Sequence, residues 1–80
     1  MAGKKSEKLD QEYYKRLGKR IKDLRISAGY KNADFFAYDH GIGRSQYSEY
    51  ERGKDMRLST LRKLAVAHGI TVDVLLKGLA

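Results

Sequence analysis

The sequence predicts an all-α fold, a compact bundle of five helices joined by short loops. Three observations predict it. Apolar residues recur at steps of three and four along most of the chain, the spacing that lines one face of an α-helix. Glycines close successive periodic segments, at Gly29, Gly41, Gly53 and Gly69, where a helix C-terminus favours a residue free to take positive φ. Proline is absent, and no run alternates polar with apolar residues as a half-buried strand would.

The first helix is expected over about residues 10–28, with Tyr13, Leu17, Ile21, Leu24 and Ala28 on one face. Asp10 and Glu12 in its first turn and Arg25 in its last match the helix dipole. Gly18 lies inside it and should weaken it by about 1 kcal/mol relative to alanine. Residues 1–9 carry Lys4, Lys5 and Lys8 without an apolar period and read as a disordered basic tail, leaving residues 10–80 as a single domain. Asn32 is a good N-cap for a second helix running to about His40, with Ala33, Phe36, Ala37 and His40 facing inward. Gly41-Ile42-Gly43 makes a turn into a third helix, Arg44 to about Arg52, which Gly53 and the polar Lys54-Asp55-Met56 break. A fourth helix spans about Arg57 to His68, with Leu58, Leu61, Leu64, Ala65 and His68 on one side. Gly69 ends it, Ile70 crosses over, and Thr71 caps a last helix through about Lys77.

Composition narrows the function before any motif does. Eighty residues make one small domain, and with no cysteine neither disulfides nor a thiolate zinc site can supplement its core. No apolar run approaches the roughly 20 residues that cross a bilayer, and the charged N-terminus lacks a secretory apolar stretch, so a soluble cytoplasmic protein without a membrane role is the expectation. Seventeen Lys plus Arg against ten Asp plus Glu give a formal charge of +7, a surplus that favours polyanionic partners.

Residues 32–53 then read as two short helices joined by a glycine-bearing turn, a helix-turn-helix. Such a motif needs a small residue where its helices touch, a turn residue that accepts positive φ, and apolar anchors beneath the second helix. Ala37, Gly41, and Tyr47 with Tyr50 fill those slots. On the third helix Arg44, Ser45, Ser48, Glu49 and Arg52 share one side, with Gln46 at its flank. These residue types can meet base edges: Arg44 is placed to donate two bonds to guanine, Glu49 can accept from cytosine N4, and Ser45, Gln46 and Ser48 can bond to several bases. Lys31, Asn32, Arg52, Lys54 and Arg57 lie at helix ends and loops around the motif, where free N–H groups and the dipole also favour phosphate. They are the expected phosphate contacts. Double-stranded DNA is therefore the expected partner.

With those residues in place, the chain from about Leu17 to Leu79 resembles the Cro and lambda-repressor type of helix-turn-helix domain, the XRE family. The resemblance rests on Leu17-Gly18-Lys19-Arg20-Ile21, Leu24-Arg25, Phe36-Ala37, Gly41-Ile42, the Ser48 to Gly53 run, Leu61 to Ala65, and Ile70-Thr71 in that order. It implies the lambda-repressor-like five-helix fold, a third helix that enters the major groove, a transcriptional regulator that acts as a repressor, and a homodimer on a palindromic site. It also implies that Arg25 and Glu51 form a structural pair bridging the first helix to the end of the third. The chain departs from the family pattern at Ala33, where Gln is usual, and at Gly43, where Ser or Thr is usual.

Other residues admit two readings. His40 and His68 each precede a glycine at a helix end and serve either as a pH switch or metal ligand or, on the simpler reading, as half-buried rings near a helix dipole; two histidines without cysteine argue against metal. Phe35, Phe36, Tyr38, Tyr47 and Tyr50 could stack single-stranded bases, but Phe36 and Tyr47 fit the core. Leu75, Leu76 and Leu79, of which Leu75 also fits the core, or the start of the first helix with Tyr13 and Tyr14, are the candidate self-association surfaces. No Ser/His/Asp set, phosphate loop or carboxylate pair stands out, so neither enzyme activity nor a cofactor is expected. The alternative to a regulator is a protein-interaction module such as an antitoxin or adaptor, which the same fold permits.

Overall fold

The computed structural model describes residues 2–79, with side chains from Lys8 onward; Met1, at the start of the expected tail, and Ala80, at the end of the expected domain, lie outside the described residues. Helices α1 (Ala2–Ser27), α2 (Ala33–Asp39), α3 (Arg44–Glu51), α4 (Leu58–Ala67) and α5 (Val72–Leu76) follow one another, with no strand among the described residues. The later four lie where periodicity and capping put them, within a residue or so at each end. The first differs. It starts at Ala2 rather than near Asp10, so the segment expected as a disordered tail continues the helix upstream. Ala2, Lys4, Lys5, Glu7, Lys8 and Leu9 are good helix formers and no proline interrupts them, so nothing local stops the helix at Asp10. At 1.5 Å per residue its 26 residues span about 39 Å, which accounts for the long axis of a molecule measuring 43 × 24 × 20 Å. Asp10 and Glu12 consequently lie in mid-helix, not in a first turn.

One face of α1 supplies Leu17 and Ile21 to a core completed by Phe36 and Ala37 of α2, Ile42 of the turn, Tyr47 of α3, Leu64 and Ala65 of α4, Leu75 of α5, and Leu79. Tyr13, Leu24, Tyr50 and Leu61 pack half-buried against it. Ala28, expected on the inner face, lies past the last helical residue and is exposed. Leu58 also departs from expectation at 65% exposed, because it sits in the opening turn of α4 at the edge of the apolar face. Leu75 and Leu79 are fully or almost fully buried, which removes them from the expected self-association patch and leaves Leu76 half-buried.

The α2–α3 turn follows directly from its residues. Gly41 takes φ +66°, the left-handed conformation that lets the chain reverse, and the Ile42 N–H donates to the Ala37 carbonyl at 2.8 Å. Ala37, wholly buried, keeps the two helices close, and the Phe36 and Tyr47 rings meet at 5.1 Å across them. At the other end of the molecule, Arg16 and Arg20 of α1 donate to the carbonyls of Leu79, Leu75 and Lys77 at 2.9–3.2 Å. Arg20 thus satisfies acceptors at the C-terminal end of the five-residue α5, and Arg16 ties down the chain just beyond it.

Gly18 has a specific packing role. A Cβ there would stand 2.6 Å from the Glu51 carbonyl oxygen and 2.7 Å from that of Tyr50, both backbone atoms at the end of α3. The missing side chain is what lets the end of α3 lie against α1. Gly18→Ala should therefore destabilise the fold by about 2 kcal/mol despite its better helix propensity, since overpacking typically costs about 1–3 kcal/mol. A thermal melt checks this: a drop of about 10 °C is expected for a domain this small, and a rise would show that the contact yields freely.

Candidate nucleic-acid interface

The third helix has only eight residues and would not persist alone in water. Tyr47 anchors it underneath with no exposed surface, and Tyr50 packs beside it. Its C-terminal end is fixed by a bidentate ion pair: Arg25 donates from Nε and Nη2 to the Glu51 carboxylate at 2.7 and 3.2 Å. Both side chains are about nine-tenths or more buried. The same guanidinium donates to the Tyr30 carbonyl at 2.7 Å, tying the α1–α2 turn into the clamp. The pairing of Arg25 with Glu51 read from the sequence is thus present in the geometry. The hydrogen bond to Glu51, above all, raises the Arg25 pKa further, so the guanidinium stays charged. Burial, aided by Glu51 and opposed by Arg25, pushes the neighbouring Tyr47 phenol well up and keeps it neutral. Its hydroxyl lies near the pair but falls short of hydrogen-bond geometry.

With its underside spoken for, α3 and its C-cap residue Arg52 present Arg44, Ser45, Ser48, Glu49 and Arg52 outward, and these five line a single shallow groove of about 430 Å³ together with Asp34 of α2. Several of these side chains are held by neighbours. Arg44 stands 3.8 Å from the Asp34 carboxylate, Arg52 donates to the Ser48 hydroxyl at 2.8 Å, and Lys54 donates to Glu49 at 2.6 Å. The Lys54 ammonium draws the Glu49 carboxyl below its ordinary pKa, and Glu49 raises that of Lys54 in return.

Gln46 does not join that groove. It lines a second one, on the other flank of α3, with Tyr50, Lys54, Asp55, Arg57, Ser59 and Thr60. At about 100° per residue its position is turned well away from the centre of the stripe, so it shares a surface with Lys54 and Arg57 instead. Lys31, Asn32, Arg52, Lys54 and Arg57 are all exposed. Asn32 acts as the expected N-cap, its side-chain oxygen accepting the Asp34 N–H at 2.7 Å, which leaves its amide N–H groups free. Gly43, at the N-cap of α3, and Thr71, at that of α5, supply no side-chain cap hydrogen bond.

Sequence reasoning missed Asp34 as a member of this surface. Its one signal was an acidic residue in the first turn of α2, which equally suits the helix dipole. The histidines follow their simpler reading as half-buried C-cap residues: His40 and His68 rest against the Phe36 ring at centroid distances of 4.2 and 5.1 Å. Burial, with a smaller contribution from His40, holds His68 below the ordinary imidazole pKa. Among the described residues no group of three His, Cys, Asp or Glu side chains comes together as a metal site, and no helix is long and apolar enough to cross a membrane. Phe36 and Tyr47 are core, whereas Phe35 and Tyr38 lie exposed on the outer face of α2.

The comparisons with known proteins agree with this geometry. Residues 21–75 match the family described as Helix-turn-helix, and the chain belongs to that family. It is also 45% identical over 65 residues to the SPbeta prophage-derived uncharacterized HTH-type transcriptional regulator YonR of Bacillus subtilis strain 168, a match covering 76% of this chain. The chain spans 56% of the length of that relative. No solved structure matches the chain. Membership bears out the XRE-type helix-turn-helix resemblance.

Removing Arg25 should test how much of this surface hangs on its anchor. Arg25→Ala leaves a buried carboxylate without its partner, and the loss expected is about 3–5 kcal/mol. Denaturant unfolding measures it directly; a loss under about 1 kcal/mol would mean that water reaches Glu51 and that α3 is held by apolar contacts alone.

Proposed function

We propose that this chain is a sequence-specific binder of double-stranded DNA, a transcriptional regulator acting as a repressor, which inserts α3 into the major groove. One observation carries the reading: a hydrophilic stripe on a helix pinned from below, uncovered by the other described residues and lining one continuous groove. A recognition helix needs that combination, since base-edge contacts discriminate only when the donors and acceptors are held in register.

In this reading Arg44, at the start of α3, donates to the N7 and O6 acceptors of guanine, and Glu49 accepts from cytosine N4. Ser45 and Ser48 complete the base contacts, and Gln46 reaches the DNA from the helix flank. Lys31, Asn32, Arg52, Lys54 and Arg57 contact phosphates on either side of the groove and set the register. The formal charge of +7 supports attraction to the backbone. A repressor of this kind works by occupying its operator in the cytoplasm, and a homodimer would present two copies of α3 to half-sites about one helical turn apart.

Selection of bound duplexes from a random pool tests the reading. An enriched palindrome is expected, with Arg44→Ala weakening binding to it by about 1–3 kcal/mol and relaxing one base-pair position in each half-site. Binding should also weaken steeply with salt, and removing any one phosphate-contacting lysine or arginine should reduce that slope by about one. A protein that enriches no sequence and responds weakly to salt would point instead to the protein-interaction module.

A further inference from the structure

We propose that Asp34 is a specificity-determining positioning residue, whose carboxylate aims Arg44 at a base edge and keeps it from serving as a phosphate clamp. The inference rests on the DNA-binding reading and goes beyond it, because it assigns a role to a residue of the other helix of the motif.

The geometry is set by rigid parts. Asp34 is the second residue of α2, its backbone N–H held by the Asn32 side chain at 2.7 Å, and Arg44 is the first residue of α3. Buried Ala37 and the Phe36–Tyr47 contact fix the two helices against each other. The carboxylate therefore meets the guanidinium at 3.8 Å because of the core beneath them. Asp39 lines a separate depression on the α2 side of Arg44, but it accepts a hydrogen bond from the Tyr30 hydroxyl at 2.8 Å, so it is already engaged.

An exposed pair at this separation adds little to stability, so its position on the groove calls for another account. Asp34 lines the stripe groove itself, where an anion would be repelled by a phosphate backbone. Next to Arg44 that charge has two consequences. It cancels much of the attraction of Arg44 for phosphate, and it restrains a guanidinium that otherwise samples many rotamers. Arginine carries five N–H donors in a fixed fork, so one carboxylate contact leaves enough for bidentate recognition of guanine. Entry into a groove that excludes water would strengthen the restraint, because the same separation then acts across a lower dielectric. The arrangement favours base reading over backbone binding at this position.

The test compares wild type with Asp34→Asn, which keeps the shape and removes the charge, on the selected duplex, on duplexes altered at each position in turn, and on unrelated DNA. The expected result has three parts. Preference at the base pair read by Arg44 falls about tenfold, within the range that a bidentate contact confers. Affinity for unrelated DNA rises. The salt slope steepens by about one, as Arg44 becomes free to neutralise a phosphate. In an Arg44→Ala background, Asp34→Asn should change base preference no further, because the two substitutions disable one device. An equal gain in affinity on every duplex with preference unchanged would overturn the proposal and leave the DNA-binding reading intact, as would a preference change that persists without Arg44. A wild-type protein that selects no sequence overturns both.

Discussion

The buried pair of Arg25 with Glu51 is the contact on which the arrangement of this molecule turns. An eight-residue helix with a polar outer face has little stability of its own. What fixes α3 is its attachment at two levels: the Tyr47 ring sunk in the core, and a charged clamp at its C-terminal end gripping α1 and the Tyr30 carbonyl. Desolvating two opposite charges is costly, and the pair is tolerable because its geometry is bidentate and its third partner is a backbone acceptor. Gly18 belongs to the same joint, since only a residue without Cβ lets the α3 terminus approach α1 closely enough for the clamp to form.

Rigidity beneath permits exposure above. The stripe on α3 mixes both signs of charge, and its side chains are steadied by neighbours: Arg44 by Asp34, Ser48 by Arg52, Glu49 by Lys54. Contacts of this kind are weak in water, yet each narrows the set of rotamers that a DNA duplex would otherwise have to select. In the proposed complex, backbone phosphates would compete for Lys54 and Arg52, exchanging intramolecular partners for intermolecular ones and releasing Glu49 and Ser48 toward the bases.

Much of this was legible from the amino-acid order, for definite reasons. Tyr47 and Phe36 fall at helical spacing on segments whose other faces are polar, so burial was their natural fate, and Gly41 between two such segments marked the turn. The start of α1 was not legible, because disorder and an exposed charged helix share the same polar composition, and an apolar period marks only the buried part of a helix. The exposure of Leu58 and the burial of Leu79 escape the spacing for a related reason: near helix ends, burial depends on which neighbour overhangs a residue, which no local spacing records. Arg16 and Arg20 reach carbonyls 55 to 63 residues away, and Asp34 meets Arg44 only through the way α2 and α3 pack across their turn, so neither contact can be read from local spacing. Gly18 did carry a signal, since a glycine inside a strongly periodic helix asks for a packing reason.

The central claim is that α3 meets DNA with its outward stripe while its buried side stays anchored. Amide chemical shifts of isotope-labelled protein, followed by NMR as a selected duplex is added, test it most directly. The account predicts that shifts concentrate at residues 43–49, at Lys31 to Asp34 and along 54–60, with the resonances of Tyr47, Arg25 and Glu51 side chains showing an intact core. Perturbation confined to the outer faces of α4 and α5, with α3 unmoved, would contradict it.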